Sequence, residues 1–111
     1  MPRDFDTETL VVVADRFRVL AEPMRLRILN SLRDGEKTVT DLVGETGSGQ
    51  ANVSRHLGIL YRQGMVARRK EGQFTLYRIS DPMLLELCEL VCQGLETGER
   101  NRRSAFDGTD R

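Results

Sequence analysis

The chain is 111 residues long, which is enough for one domain with a modest core. Its apolar fraction of 39% and charged fraction of 31% are typical of a globular protein. The longest apolar run, Leu10 to Ala14, is far shorter than the ~20 residues that a membrane span needs. The N-terminal segment is acidic and lacks the basic-then-apolar order of a signal peptide, so we expect a cytoplasmic protein with no membrane partner.

The formal net charge is zero, but the charges are unevenly distributed along the chain. Between Ser48 and Ser80 a single acid, Glu71, accompanies the bases Arg55, Arg62, Arg68, Arg69, Lys70 and Arg78. The first fifteen residues are net acidic. A neutral total therefore conceals one basic segment, and a nearby phosphate group would respond to that local field.

The first half of the chain has apolar residues at helical spacing. This spacing predicts a helix from about Leu10 to Ala21. Pro23 then opens a second helix, which Gly35 ends. Thr38 is a suitable N-cap for a short third helix that runs through Val43.

A glycine-rich turn separates this half from a fourth predicted helix over residues 50–63, on which Val53, Leu57 and Leu60 share one face. Two short strands, over 65–70 and 74–79, are joined by a turn at Gly72 and predict a hairpin.

Asp81 and Pro82 together predict the start of a last helix. It is expected to run to about Glu96 and to be closed by Gly98, with residues 99–111 forming a polar, disordered tail. Four helices, a hairpin and a helix predict a mainly α fold with a small β-hairpin, a winged helix-turn-helix, in one domain of residues 1–98.

Several segments carry a resemblance to a known family. They are Leu20 to Leu29 (LAEPMRLRIL), Gln50 to Leu57 (QANVSRHL) with Leu60, Gly64 to Val66, and Tyr77 to Ile79. Together they resemble the ArsR/SmtB family of bacterial winged-helix repressors, over about Phe17 to Leu95. The resemblance implies a homodimer bound to operator DNA and released by an inducer, often a metal ion or a thiol-reactive species. The family usually has a hydroxyl residue directly before the glutamine, whereas here Ser48 precedes Gly49 and either residue could cap the helix.

The exposed side of the fourth helix is the predicted DNA-reading surface. An α-helix fits the major groove, where amides pair with adenine and arginine with guanine. We therefore assign base reading to Gln50, Asn52 and Arg55. Phosphate contacts are expected from Ser54 and from the backbone amides at the helix start. Ser48 and Ala51 complete the predicted DNA-binding set at this end of the helix.

Two further sets of contacts are predicted near this helix. His56 has two interpretations: a packing residue beside a core leucine, or an exposed residue that contacts phosphate. Arg68, Arg69 and Lys70 flank the hairpin tip, where a basic run is either solvated surface or grips phosphate and the minor groove.

The last helix carries an apolar stripe that a small domain can hardly bury alone, so a partner helix is its natural cover. The predicted dimer interface consists of Leu84, Leu87, Cys88, Val91, Cys92 and Leu95, joined by Leu10, Val13 and Phe17 of the first helix, as the family resemblance implies.

Cys88 and Cys92 lie four residues apart, on one face of that helix. They are either small buried hydrophobes in the dimer interface or a thiol pair that binds a soft metal or metalloid or becomes oxidised. Their spacing is a poor one for an unstrained disulfide. The family's common metal sites do not transfer, because residues 40–45 hold no cysteine pair and His56 is the only histidine. No cofactor is required by the sequence, and a thiol-bound metal or metalloid inducer stays open.

Two other functions compete with a DNA-binding repressor. A winged helix can serve as a protein-docking module without DNA binding, but that does not explain amides, a hydroxyl and an arginine beside a basic hairpin. An enzyme is disfavoured, because the chain has no phosphate-binding glycine motif and no metal-ligand cluster.

Overall fold

The computed structural model describes residues 4–107. The chain divides into two compact units, Met1–Asp81 and Pro82–Arg111. The first unit contains α1 (Thr7–Leu20), α2 (Pro23–Ser31), a 3-10 turn (Leu32–Asp34), β1 (Lys37–Thr38), α3 (Val39–Thr46), α4 (Gln50–Arg62), β2 (Val66–Glu71) and β3 (Phe74–Ile79). The second unit is α5 (Met83–Asp107). The predicted mainly α fold with a hairpin is confirmed.

Side-chain caps fix where α1 and α3 begin. Asp6 accepts a hydrogen bond from the backbone N–H of Thr9 at 2.8 Å, so α1 starts three residues before the predicted Leu10. At α3, the Thr38 hydroxyl accepts from the Asp41 N–H at 3.1 Å and the Asp41 carboxylate accepts from the Thr38 N–H at 3.0 Å. This reciprocal pair is a capping box, which confirms Thr38 as the N-cap.

The sheet has three antiparallel strands in the order β1-β3-β2. The predicted hairpin is β2 and β3, with Glu71 opposite Phe74 at its tip and Gly72 at a φ of +62° in the turn. Glycine suits this position because a side chain at positive φ is strained. The strand β1 was not predicted, because two residues are too short to show a pattern.

The buried side of α4 lies among α2, α3 and β2. Its core side chains Val53, Leu57 and Leu60 are fully buried, together with Ile28, Leu29, Leu42 and Met65. Burial of a large aliphatic side chain contributes about 1.5–3 kcal/mol. The rotation of α4 about its own axis is therefore fixed, and so is the set of residues on its outward side.

The helix α5 is longer than predicted. It begins at Met83 and continues through Gly98 to Asp107, so residues 99–107, predicted to be a disordered tail, are helical. A mid-helix glycine costs about 1 kcal/mol relative to alanine, and the Glu99–Arg102 ion pair supports the helix just beyond Gly98. The two compact units divide between Asp81 and Pro82. Residues 108–111 lie outside the described part of the chain.

Candidate nucleic-acid interface

The turn between α3 and α4 leaves the start of α4 open. Gly47, at a φ of +74°, ends α3, and its N–H donates to the Val43 carbonyl at 2.9 Å. The N-cap of α4 is Gly49, which offers no side-chain hydrogen bond to the first turn. Of the two candidate caps, Gly49 holds the position and Ser48 does not. The first-turn amides are thus without a side-chain cap, an arrangement suited to an anion.

Polar side chains on the outward side of α4 are joined in a row. The Asn52 amide donates to the Ser48 hydroxyl at 2.8 Å, and the Arg55 guanidinium donates to the Asn52 carbonyl oxygen at 3.0 Å. Gln50, Ala51, Ser54 and Arg55 are exposed, while Ser48 and Asn52 are half-buried. The structure therefore brings the predicted base-reading residues onto one surface, with Arg55 already oriented by Asn52.

His56 does not belong to this exposed surface. His56 is only 3% exposed, so the prediction that it is exposed is wrong, and its burial favours the packing interpretation. The sequence carried a signal for this, since position 56 is three residues after Val53 and four before Leu60, on the buried face. The polar ring is tolerated there because it has partners on both sides.

These partners are two arginines. The Arg25 guanidinium lies 3.2 Å from Nδ1 of His56, and the Arg55 guanidinium lies 3.3 Å from Nε2. Arg25 also donates to the Val19 carbonyl at 2.6 Å, and its backbone N–H donates to the Glu22 carboxylate at 3.1 Å. Sequence reasoning did not identify Arg25 as a functional residue, because its contact with His56 spans 31 positions.

The surroundings of His56 favour a neutral ring. Burial lowers the pKa of His56 below its usual value of 6.5; the positive charges of Arg55 and Arg25 lower it further, while Glu22 opposes the shift. The neutral imidazole has one N–H donor and one acceptor lone pair.

The wing, which we define as the hairpin of β2 and β3, presents Arg68 and Lys70 beside two tyrosines. The Arg68 guanidinium lies over the Tyr61 ring, 3.9 Å from its centroid. A hydrogen bond with Tyr77, its partner across the strands, raises the pKa of Arg68. These residues line an open groove together with Arg69 and Thr75. Neither tyrosine was predicted as a site residue.

Arg69 is held by an acidic partner. It donates to both carboxylate oxygens of Glu36 at 2.8 Å each, and Arg78 approaches the same carboxylate at 3.9 Å. The Arg69 hydrogen bonds lower the pKa of Glu36, and the carboxylate raises that of Arg69. Part of the predicted positive charge of the wing is therefore neutralised within the protein.

The predicted dimer residues differ in exposure. On α1, Leu10 is 50% and Phe17 53% exposed, and Val13 is half-buried. On α5, Val91, Leu95 and Cys92 are exposed, whereas Leu87 and Cys88 are half-buried. Leu84 is only 4% exposed in the single chain, so it offers a partner almost no apolar surface to cover.

Both cysteines are free thiols. Within residues 4–107, no group of three or more His, Cys, Asp or Glu side chains is placed to hold a metal ion. The same part of the chain contains no helix that is both long and apolar enough to cross a bilayer.

Comparison with known proteins identifies the family of this chain. The sequence profile described as "Bacterial regulatory protein, arsR family" matches residues 22–68. An uncharacterized HTH-type transcriptional regulator of Mycobacterium tuberculosis, Rv0081, is 39% identical over 75 residues, which are 67% of this chain and 66% of that protein. The chain belongs to the arsR family of bacterial regulatory proteins. It spans about two thirds of the length of this relative.

Three solved structures share the fold. The crystal structure of Rv0081 matches with a TM-score of 0.76 at 33% identity, over 84% of this chain and 94% of that one. The homodimeric winged helix-turn-helix DNA-binding domain of Mb0332 from Mycobacterium bovis matches with a TM-score of 0.74 at 30% identity. This match covers 91% of this chain and 95% of that one. The AntR antimony-specific transcriptional repressor matches with a TM-score of 0.77 at 33% identity, over 90% of this chain and 92% of that one. The predicted winged helix-turn-helix is confirmed, and the family consists of transcriptional regulators, not enzymes.

Proposed function

We propose that the chain is a homodimeric repressor that reads operator DNA with α4 and holds the DNA backbone with the wing. The observation that carries this proposal is the Ser48–Asn52–Arg55 row on the outward side of a helix whose inward side is fixed in the core. The row presents amide and guanidinium groups, the types of side chain that read base edges in the major groove.

The contacts divide into base reading and backbone binding. Arg55 is assigned to a guanine, and Gln50 and Asn52 to adenine edges. Ser54 and the uncapped amides at the start of α4, including that of Ala51, are assigned to phosphate. Arg68 and Lys70 of the wing supply sequence-independent phosphate contacts.

Dimer formation is supported by exposed apolar residues on two helices. Leu10, Val11 and Phe17 of α1 are each at least half exposed, and so are Val91 and Leu95 of α5. A second copy is their proposed cover, as in the homodimeric domain of Mb0332. Two symmetry-related copies of α4 then require an inverted-repeat operator with half-sites about 34 Å apart.

Release by an inducer is proposed to involve Cys88 and Cys92. Cys92 is an exposed thiol and Cys88 lies one helical turn before it. Two thiols are too few for a tetrahedral soft-metal site, but a dimer supplies four. The structural relative AntR is named for antimony, which is a thiol-binding metalloid. The cysteines are accordingly assigned to a thiol-bound metal or metalloid inducer.

The decisive experiment is footprinting on the DNA that neighbours the gene. The wild-type protein is expected to protect an inverted repeat, and a variant carrying both Asn52→Ala and Arg55→Ala is expected to lose that protection. Arg33→Ala is the control, because it removes an exposed arginine from the 3-10 turn. Unchanged protection by the double variant, in a correctly folded dimer, would exclude the proposed reading surface. A wild-type protein that binds no DNA would favour a protein-docking module.

The same footprint tests the inducer assignment. Antimonite, arsenite and soft divalent metals are added to the bound wild-type protein and to Cys88→Ser and Cys92→Ser. Both variants are expected to stay on the operator where the wild-type protein is released. If they are released as readily as the wild type, the cysteines have only a packing role.

A further inference from the structure

The buried ring of His56 lies between two groups that can only donate hydrogen bonds. A guanidinium carries five N–H donors and no acceptor, and one guanidinium faces each ring nitrogen, at 3.2 Å for Arg25 and 3.3 Å for Arg55. A neutral imidazole has a single acceptor lone pair. Only one of the two arginines can therefore be hydrogen-bonded to the ring at any moment, and the other faces an N–H.

Neither arginine depends on the ring alone. When the lone pair is on Nδ1 and serves Arg25, Arg55 keeps its hydrogen bond to the Asn52 carbonyl oxygen at 3.0 Å. When the lone pair is on Nε2 and serves Arg55, Arg25 keeps its hydrogen bond to the Val19 carbonyl at 2.6 Å. The two tautomers thus leave each arginine with one partner, and the nearly equal distances favour neither.

We propose that His56 is a positioning residue for Arg55, sharing one acceptor lone pair between Arg55 and Arg25 and passing it to Arg25 when Arg55 engages a base. The exchange moves one proton from Nδ1 to Nε2 by way of solvent and leaves the charge of the ring unchanged. This inference rests on the proposed DNA-reading role of Arg55.

The arrangement has two consequences for binding. In the free protein, the contacts with Asn52 and His56 hold Arg55 at the outward surface of α4, which lowers the entropy lost when it meets a base. In the complex, the hydrogen bond to Arg25 becomes permanent, and Arg25 is bonded to the last turn of α1 and to Glu22. Base contact is thereby linked to the junction between α1 and α2.

The tautomer of His56 can be measured directly, because the chain has a single histidine. Long-range ¹H–¹⁵N spectra of ¹⁵N-labelled protein report which ring nitrogen carries the proton. For the free wild type we expect shifts between those of the two pure tautomers. Free Arg55→Ala and the wild-type operator complex should both move to the Nε2–H tautomer. Free Arg25→Ala should move the opposite way, to Nδ1–H.

Two results would overturn the proposal. One is the same ring tautomer in the three free proteins; the other is an operator complex whose ring is unchanged from the free protein. Failure of the proposed function is distinguishable, because the comparison of Arg55→Ala with Arg25→Ala needs no DNA. A further outcome is that the ring tautomer of those two variants shifts as expected while the wild type binds no operator. That result would support the sharing of the lone pair in the free protein and would exclude its transfer on base contact.

Operator affinity provides the functional readout. His56→Leu fills the site without an acceptor and is expected to weaken operator binding about two- to tenfold, the effect of leaving one long side chain unordered. His56→Gln retains an acceptor and is expected to restore most of that loss. Adding His56→Leu to Arg55→Ala should have no further effect. If His56→Leu reduces operator affinity equally with and without Arg55, the role of His56 is purely structural. If His56→Leu does not fold, the ring spectra of the arginine variants still test the proposal.

Discussion

The helix α4 and the wing both present arginines, but they hold them with different partners. Arg55 of α4 is bonded to neutral acceptors, the Asn52 amide and the His56 ring. In the wing, Arg69 is bonded to the carboxylate of Glu36, and Arg68 lies over the Tyr61 ring. An arginine with neutral partners keeps its full charge for a base or phosphate, whereas an ion-paired arginine must first exchange one anion for another. We therefore expect α4 to supply specificity, and the wing to supply a salt-dependent grip that the ion pair of Arg69 weakens.

The largest expected effect separates these two roles. Arg55→Ala should weaken binding to the operator by about 5- to 150-fold, the range for losing one bidentate base contact, and change non-specific binding little. Lys70→Ala, in the wing, should weaken both kinds of binding alike and reduce the slope of log affinity against log salt by about 1. Titrations of operator and scrambled DNA at several salt concentrations measure both quantities. If Arg55→Ala weakened binding to both DNAs equally, Arg55 would be a phosphate contact and the contrast with the wing would be lost.

How much of this contrast the sequence could predict depends on the range of each contact. The outward side of α4 was predictable, because Val53, Leu57 and Leu60 define its buried face within a few residues. The pairing of Arg69 with Glu36 was not, because it joins β2 to a residue 33 positions earlier, beside a strand too short to detect. The row from Ser48 to Arg55 follows from local helical spacing, but the partner of His56 on α2 depends on packing.

Acid should affect the two regions in different ranges of pH. His56 has a lowered pKa in the folded protein, mainly because of burial, with Arg55 and Arg25 adding to the shift and Glu22 opposing it. The unfolded chain therefore binds the proton more readily than the folded protein does. The contribution of the neutral ring to the free energy of unfolding is fully present above the usual pKa of 6.5, and it is lost as the pH falls through the lowered pKa. Glu36 has a pKa lowered from 4.5, chiefly by the Arg69 hydrogen bond, so the wing pair persists to more acidic pH.

Urea unfolding at a series of pH values tests this difference. The free energy of unfolding of the wild type should decrease on acidification from pH 6.5, the usual histidine value, toward the 4.5 of a free glutamate, while His56→Gln should show a flatter profile over that interval. Glu36→Gln is the control and should follow the wild type there. A wild-type profile no steeper than that of His56→Gln would show that the ring has an ordinary pKa.

Removing the acidic partner should make the wing resemble α4 more closely. Glu36→Gln removes the bidentate anionic partner of Arg69 and leaves it the 3.4 Å contact with Glu71, and it also relaxes Arg78, so one further phosphate contact becomes available. We expect the slope of log affinity against log salt to steepen by about 1, equivalent to about three- to fourfold in affinity for a fourfold change in salt. Asp34→Asn, two residues away, removes the same charge from the exposed 3-10 turn and is the control. Equal slopes for the two variants would mean that Arg69 does not reach the DNA.

The smallest expected effect concerns the neutral partner of Arg68. Tyr61→Phe keeps an aromatic ring beneath the guanidinium, 3.9 Å from the ring centroid in the wild type, so non-specific affinity should stay close to that of the wild type. Tyr61→Leu removes the ring, and Arg68 must then be ordered when it meets phosphate, so affinity should fall by about two- to fivefold. Salt titrations on scrambled DNA measure this loss, with the slope expected to stay unchanged because no charge is removed. A loss in Tyr61→Phe as large as in Tyr61→Leu would assign the effect to the hydroxyl instead of the ring.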